Sequence, residues 1–375
     1  MKVAGLALSF LGVALPQGAL AIVRKYYIAA EEVIWDYAPS GMNLYDGTPV
    51  GTGAAAVFLQ DTPGTVGRVY KKAIYREYTD ETFTVAKPSP AWQGFLGPAI
   101  RAEVGDSLEV LFNNKCTLPY SMHPHGVAYD KADEGVNYMF AVGKSGAVMP
   151  NTMNLYTWNV PERAGPGPAD GAAVMWSYHS HNNEVMDVYS GLAGPLIVYE
   201  AGMLDPETSE ALDVDREFVM IFQVQDENQS HYLEDNCKAH GCDKRFPHED
   251  FEESNLMHSI NGRMYGNLAG LDMAVGEKIR WFVAAFGTEV DLHSAHWHGN
   301  TLLLNDHRVD VVDLMPASFR VLLMTPDEAG KYLVHCHVND HITAGMLAYY
   351  TVYADPAQVP AAAPAAPVML AGAGP

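Results

Sequence analysis

Cysteine is scarce in this chain, with four among 375 residues, too few for a disulfide scaffold. Basic residues are scarce as well. Lysine and arginine number 23 against 45 aspartates and glutamates, a formal net charge of −22. A surface this acidic repels phosphate backbones and anionic headgroups, which argues against a nucleic-acid partner, and it attracts cations. Charged residues are 18% and hydrophobic residues 48% of the chain, so global disorder is excluded. Past residue 21 no segment approaches the roughly 20 apolar residues of a membrane span, and no long stretch carries helical periodicity. The 17 methionines are not gathered into a metal-rich tail; except for Met346 they are assigned to core packing.

What remains is strand signal. DSLEVLFNN, FVMIFQVQD, EKIRWFVAA and MLAYYTVYA are short apolar or alternating runs bounded by turn residues, so the fold class is all-β. The ends read differently. Residues 1–21, MKVAGLALSFLGVALPQGALA, have a positive start, an apolar run and a small-residue cleavage pattern, which predicts a secretory signal peptide and a secreted, extracellular mature protein. Residues 356–375 are mostly Ala, Pro and Gly and predict a flexible tail. Cys237 and Cys242 sit close together in a polar loop, where an exported protein is expected to form a disulfide. Cys116 has no evident partner and is read as a buried structural thiol.

The chain repeats itself. AEVGDSLEVLF (102–112) resembles MAVGEKIRWFV (273–283), HPHG (123–126) answers HWHG (296–299), and HSH (179–181) answers HCH (335–337). The offset of roughly 150–175 residues is an ordinary domain size. The first domain is placed at 22–203 and the second at 204–355, with Leu-Asp-Pro at 204–206 as the junction.

The histidines carry the chemistry. Fifteen of them scattered at random would give fewer than one HxH pair, yet there are four: His123/His125, His179/His181, His296/His298 and His335/His337. On a strand, side chains at i and i+2 share a face, so each pair aims two imidazoles at one place. Imidazole suits copper, zinc, iron or nickel, and eight ligands exceed any mononuclear site. A multinuclear cluster between domains is the expectation. Cys336 narrows the metal. It lies between His335 and His337, so its sulfur faces the other way. His293 has the opposite parity to His296/His298, and His341 and Met346 follow the cysteine at five and ten residues. Two imidazoles, a thiolate and a distant thioether are the ligand set of blue-copper electron transfer; zinc carries no redox chemistry to use such a bridge. The first domain is an internal control. Alignment of the repeats sets Tyr120, Ser180, Val185 and Ser190 opposite His293, Cys336, His341 and Met346, so only the second domain can hold a mononuclear site. His231, His240, His248 and His307 belong to no motif and are expected at the surface.

These motifs resemble, in order and spacing, those of the multicopper oxidases, and more closely the ferroxidases of the ceruloplasmin and hephaestin kind. YYIAAEEVIWDYAPSG, WSYHSHNNEVMDVYSGLAGPLIVYE, EESNLMHSINGRMYGNLAGL, EVDLHSAHWHG and YLVHCHVNDHITAGM carry the resemblance, which covers nearly all of residues 22–355. It implies two tandem cupredoxin-like Greek-key β-sandwich domains. It assigns His123 and His296 to a type 2 copper and His125, His179, His181, His298, His335 and His337 to a type 3 pair. His293, Cys336, His341 and Met346 would hold a type 1 copper, making four coppers per chain. It implies four one-electron oxidations coupled to reduction of dioxygen to water, with Fe(II) as reductant. Glu253, His258 and Asp340 fall on the family's iron site. The departure is size: the relatives have six such domains, and this chain looks like their first and last joined. A further iron-site carboxylate comes in those relatives from a neighbouring domain, at the position of Glu289. The expectation is therefore a head-to-tail homotrimer, with clusters at subunit interfaces and Glu289 completing the neighbour's iron site. An iron permease is the partner class the resemblance admits. The rival enzyme is a laccase-like oxidase of phenols or amines. A two-domain nitrite reductase would not need eight cluster histidines. A non-catalytic module like the coagulation-factor A domains would be expected to have lost copper ligands.

Overall fold

The computed structural model describes residues 21–138, 146–242, 248–362, 364–365 and 369–371. The segment expected to be a signal peptide lies outside these except for its last residue. Among the described residues no helix is long and apolar enough to cross a membrane.

The chain is built mostly of strands. In the first half Val23–Asp36 pairs antiparallel with Val69–Tyr78 and parallel with Ser107–Asn114, which pairs in turn with Thr152–Asn159. The facing sheet runs Ile100–Glu103, Ala193–Tyr199, Ala173–His179 and His123–Pro124. The second half reproduces this order. Leu256–Ile260, Arg216–Asp226, Ile279–Ala285 and Phe319–Met324 form one sheet, and Asp272–Ala274, Leu347–Tyr353, Gly330–Cys336 and His293–Trp297 form the other. The parallel and antiparallel pairings match strand for strand, so the internal repeat seen in the sequence is a repeat of topology. The burial patterns explain the strands. Thr152–Asn159 ends in strict alternation, one face in and one face out. Ala193–Tyr199 and Ile279–Ala285 are buried at every position, as expected of strands covered on both faces.

Each half has its own core, around Trp158, Tyr178 and Leu196 in the first and around Trp281, Trp297 and Tyr350 in the second. A third core joins them: Trp35, Tyr37, Phe58 and Phe95 pack with Ile221, Met257, Phe282 and Phe286. The two sandwiches therefore share an apolar interface. The last strand of the first ends at Tyr199 and the first strand of the second begins at Arg216; we propose the domain boundary at 203/204 within this connection.

Part of the tail read as flexible is held. Met369 and Leu370 pair with Ile34 and Val33, and the Ala365 N–H donates to the Ser89 carbonyl at 2.7 Å. The physical reason is an open edge: pairing of Val23–Asp36 with Ser107–Asn114 stops at Ala30, so the last residues of that long strand offer free backbone partners on that side. Cys237 and Cys242 form the expected disulfide, and Cys116 is a buried free thiol.

Candidate metal centre

The turn after each HxH pair needs glycine. Gly126 and Gly299 have φ of +78° and +76°, and a Cβ there would lie 2.5 Å from the rings of Trp176 and Tyr332 respectively. Each HxHG motif thus ends in a left-handed turn pressed against an aromatic ring, a conformation open mainly to glycine.

Register sets the histidines opposite each other. His123 pairs with His179 in the first sandwich, and His296 with His335 in the second, which sets Ala295 opposite Cys336. Side-chain alternation does the rest. His123, His125, His179 and His181 form one quartet, with ring centroids 5.2–5.6 Å apart and the Nε2 atoms of His125 and His179 at 3.0 Å. His296, His298, His335 and His337 form the other, at 5.0–5.6 Å, with His298 and His335 Nε2 atoms at 3.1 Å. Cys336 points the opposite way, into a buried pocket. Its Sγ lies 3.7 Å from His293 Nδ1 and 3.6 Å from His341 Nδ1, and those two nitrogens are 3.1 Å apart. Met346 is fully buried in the same core. Its carbonyl accepts from the Cys336 N–H at 3.1 Å, and its own N–H donates to the His341 carbonyl at 2.9 Å.

Several rings are oriented by an acceptor on the nitrogen turned away from the cluster. Nδ1 of His123, His179, His296 and His335 meets the carbonyl of Glu134, Ser180, Asp310 and Cys336 at 2.7, 3.0, 2.8 and 2.8 Å. A carbonyl only accepts, so Nδ1 carries the proton and Nε2 keeps a free lone pair. His293 is the reverse: its Nε2 donates to Asp291 Oδ1 at 3.2 Å, leaving Nδ1 toward Cys336. Asp291 is itself buried and held by the Val224 and Thr288 N–H groups at 2.6 and 2.9 Å. Sequence reading missed Asp291, although its place two residues before His293 on an extended run is a usable signal. Burial pushes His125 and His341 down to about 4 and His179 to about 3, and it lowers His123, His298 and His335. The rings are thereby kept neutral, the form that binds metal. Burial raises the Cys336 thiol, so metal uptake there must displace a proton.

The donor chemistry fits copper at all three places. Two nitrogens and a sulfur within ligating distance of one another suit a soft, redox-active ion, and imidazole quartets suit a copper cluster. Among the described residues, His293, Cys336 and His341 form one candidate ligand group and His296, His298 and His335 another; neither draws a residue from the first sandwich. His298 and His337 are exposed. Two members of the first quartet, His125 and His179, line a cavity of about 160 Å³ together with Glu184 and Tyr189 of the first sandwich and Phe286, Gly287 and Thr288 of the second.

His258 is buried, its ring 5.2 Å from that of His341 and 5.3 Å from that of Phe58. Its Nδ1 donates to the Leu256 carbonyl at 2.9 Å, and burial lowers it to about 4. Glu253, Asp340 and Glu289 are exposed. Glu253 stands in the last turn of the short helix His248–Ser254 and Asp340 in the first turn of Asn339–Thr343, beside His341. One expectation is corrected: His231 is not a surface histidine but is largely covered, its Nε2 at 2.9 Å from buried Asp187.

Comparison with known proteins agrees with this geometry. Residues 91–202 and 243–356 each match a family model described as multicopper oxidase. The chain is 42% identical over 358 residues to Ferroxidase HEPHL1 of Homo sapiens, covering 92% of this chain and 30% of the relative. It is 42% identical to Hephaestin of Homo sapiens (91% and 29%) and 41% identical to Ceruloplasmin of Rattus norvegicus (88% and 31%). It thus spans about a third of the length of these curated relatives. A solved multicopper oxidase structure superposes with a TM-score of 0.57 at 16% identity, over 88% of this chain and 89% of the other, which speaks to the fold. Two cupredoxin-like sandwiches, two histidine quartets, a buried cysteine–histidine pocket and two matching family models lead to one conclusion: the chain belongs to the multicopper oxidase family, whose cofactor is copper.

Proposed function

We propose that this chain is a secreted ferroxidase that oxidises Fe(II) to Fe(III) and reduces dioxygen to water, with four coppers per chain. The observation that carries the reading is the alternation at 335–337: Cys336 turns into the pocket with His293 and His341, while His335 joins the quartet with His296 and His298. When bound, copper would accept one electron at a time at the cysteine pocket and reduce dioxygen at the histidine cluster. The residues do the rest. His293, Cys336, His341 and Met346 are the type 1 set, His123 and His296 the type 2 pair, and His125, His179, His181, His298, His335 and His337 the type 3 set. Two peptide bonds at Cys336 tie the electron-accepting pocket covalently to the cluster ligands. Asp291 holds His293 in the tautomer the pocket requires.

Iron is the substrate. Glu253, His258 and Asp340 are its proposed site, with carboxylate oxygens that favour the ferric over the ferrous ion. Residues 205–253 hold 15 acids against four bases, a field that gathers cations. The two quartets belong to opposite halves of one cluster, which supports a head-to-tail homotrimer. The cavity that touches His125 and His179 also touches Thr288, next to Glu289. A neighbour docking its own quartet there would meet Glu289, which then completes the neighbour's iron site. An iron permease is a natural recipient of the ferric product.

The test is purified protein reconstituted with Cu(II) in air. The expected result is an intense blue band, about four coppers per chain and oxygen uptake on adding Fe(II). A colourless, inert protein refutes the reading. Replacing Glu253, His258 and Asp340 together by alanine should abolish iron turnover and spare phenol oxidation; iron turnover that survives rejects the iron site and favours the laccase-like reading. A fully active monomer in ultracentrifugation excludes the trimer.

A further inference from the structure

The pocket that holds Cys336, His293 and His341 in the second sandwich has a counterpart in the first that the copper chemistry leaves unused. Ser180 stands at the cysteine position, Tyr120 at the His293 position and Val185 at the His341 position. In the structure this counterpart is filled by polar side chains from both sandwiches. Asp187, on the helix Glu184–Ser190, is fully buried. Its Oδ2 accepts from Ser180 Oγ at 2.6 Å, the Asn182 N–H at 3.0 Å and the Asn183 N–H at 2.9 Å. Its Oδ1 accepts from Nε2 of His231 at 2.9 Å. His231 comes from the second sandwich. Its own N–H donates to Ser190 Oγ at 3.1 Å, and its ring packs edge-on to Tyr120 at 5.9 Å. Beside it the Tyr120 and Tyr232 hydroxyls are 2.9 Å apart.

These bonds converge on the first quartet. Ser180 and Asn182 flank His181, and Ser180 follows His179. Ser180 Oγ also accepts from the Ser121 N–H at 3.0 Å, while Ser121 Oγ accepts from the His181 N–H at 2.9 Å. Ser121 lies two residues before His123. One carboxylate thus fixes the bend that carries His179 and His181 and, through Ser180 and Ser121, the strand that carries His123. At the equivalent place in the second sandwich stands Thr343, whose hydroxyl only bonds the Asn339 carbonyl on its own helix, at 2.8 Å.

We propose that Asp187, clamped by His231 from the other sandwich, is a positioning residue for copper at the first histidine quartet, a metal-free brace where the sister sandwich has its cysteine–histidine pocket. A carboxylate with four donors is rigid and largely satisfied, and groups that orient metal ligands commonly change metal affinity about 10–100-fold when removed. The proposal rests on the quartets being copper ligands.

The experiment uses the full-length copper-loaded protein and its Asp187→Asn and His231→Gln variants. Copper per chain, the blue absorption and the electron paramagnetic resonance spectrum are measured during titration with a copper chelator. The expected result is an unchanged blue band with cluster copper lost at about 10–100-fold lower chelator concentration, and new Cu(II) signal from a type 3 pair no longer coupled. In the metal-free protein, the Asn182 and Asn183 amides should exchange faster with solvent. If Asp187→Asn fails to fold, His231→Gln, which keeps the buried carboxylate and its three other donors, gives the same reading in weaker form. Variants that hold cluster copper as tightly as the parent, with the pair still silent, overturn the proposal. A parent that binds only the copper of the cysteine pocket overturns the quartet reading itself, a result distinct from any variant effect.

Discussion

Lys72 and Glu227 form an ion pair in which both side chains are fully buried. The pair lies where the two sandwiches meet. Tyr37 donates to the same Glu227 oxygen at 2.5 Å, and Lys72 Nζ donates a second bond to the Tyr189 carbonyl at 2.9 Å, at the end of the helix that carries Asp187. Burial pushes Glu227 up and Lys72 down, each opposed by its partner. Removing one member of such a pair strands a charge, which costs about 3–5 kcal/mol; replacing both with apolar groups of similar volume is often neutral or stabilising. Lys72→Met should therefore lower the melting temperature of the copper-free protein by on the order of 10 °C, and Lys72→Met with Glu227→Leu should recover most of that loss. The pH dependence follows from the raised carboxyl. Without Lys72 the Glu227 value rises further, so the native state holds a proton that the unfolded chain releases. Stability is then fully present below the ordinary carboxylate range and is lost as pH rises through the raised value. The deficit of Lys72→Met should be smaller at pH 5 than at pH 8, read by denaturant melts at both. A deficit that is flat with pH, or a double variant worse than the single, refutes this account of the interface.

Cys336→Ser should erase the blue absorption and iron oxidation while leaving copper at the quartets, checked by metal content and paramagnetic resonance. Gly299→Ala forces a non-glycine residue to φ near +76° with its Cβ against Tyr332; a cost of about 1–3 kcal/mol and weaker copper retention are expected from melts and chelator titration, and Gly126→Ala should behave alike against Trp176. The metal-free protein should lose stability as pH falls from about 6.5 toward 4. Burial lowers His125 and His341 to about 4 and His179 to about 3, so their neutral forms support folding above the ordinary histidine range and that support is withdrawn on acidification. Urea melts across that range check it, and an unchanged midpoint would count against imidazoles held neutral by burial.

The two histidine quartets and the cysteine–histidine pocket are legible because strand geometry is local. HxH needs only side-chain alternation to aim two rings at one place, and the parity of Cys336 against its flanking histidines needs nothing more. The repeat was legible for a similar reason, since two copies of one topology reuse the same motif order. Asp291 was half legible, through its spacing from His293. The Asp187–His231 contact was not, because its members are 44 residues apart and belong to different sandwiches; only the shared interface brings them together. The strand formed by Met369 and Leu370 escaped for a complementary reason. Composition reported a segment too poor in apolar side chains to make a core, while the unpaired edge beyond Ala30 offers backbone partners that composition does not record.

A molecule with two imidazole quartets on different sandwiches would, were they to meet only between subunits, depend on its own abundance. On the proposed assembly, oxygen reduction belongs to the population and the colour belongs to the individual. Dilution would extinguish turnover while each separated chain stayed blue, and the enzyme would report, through its own rate, how crowded its surroundings are.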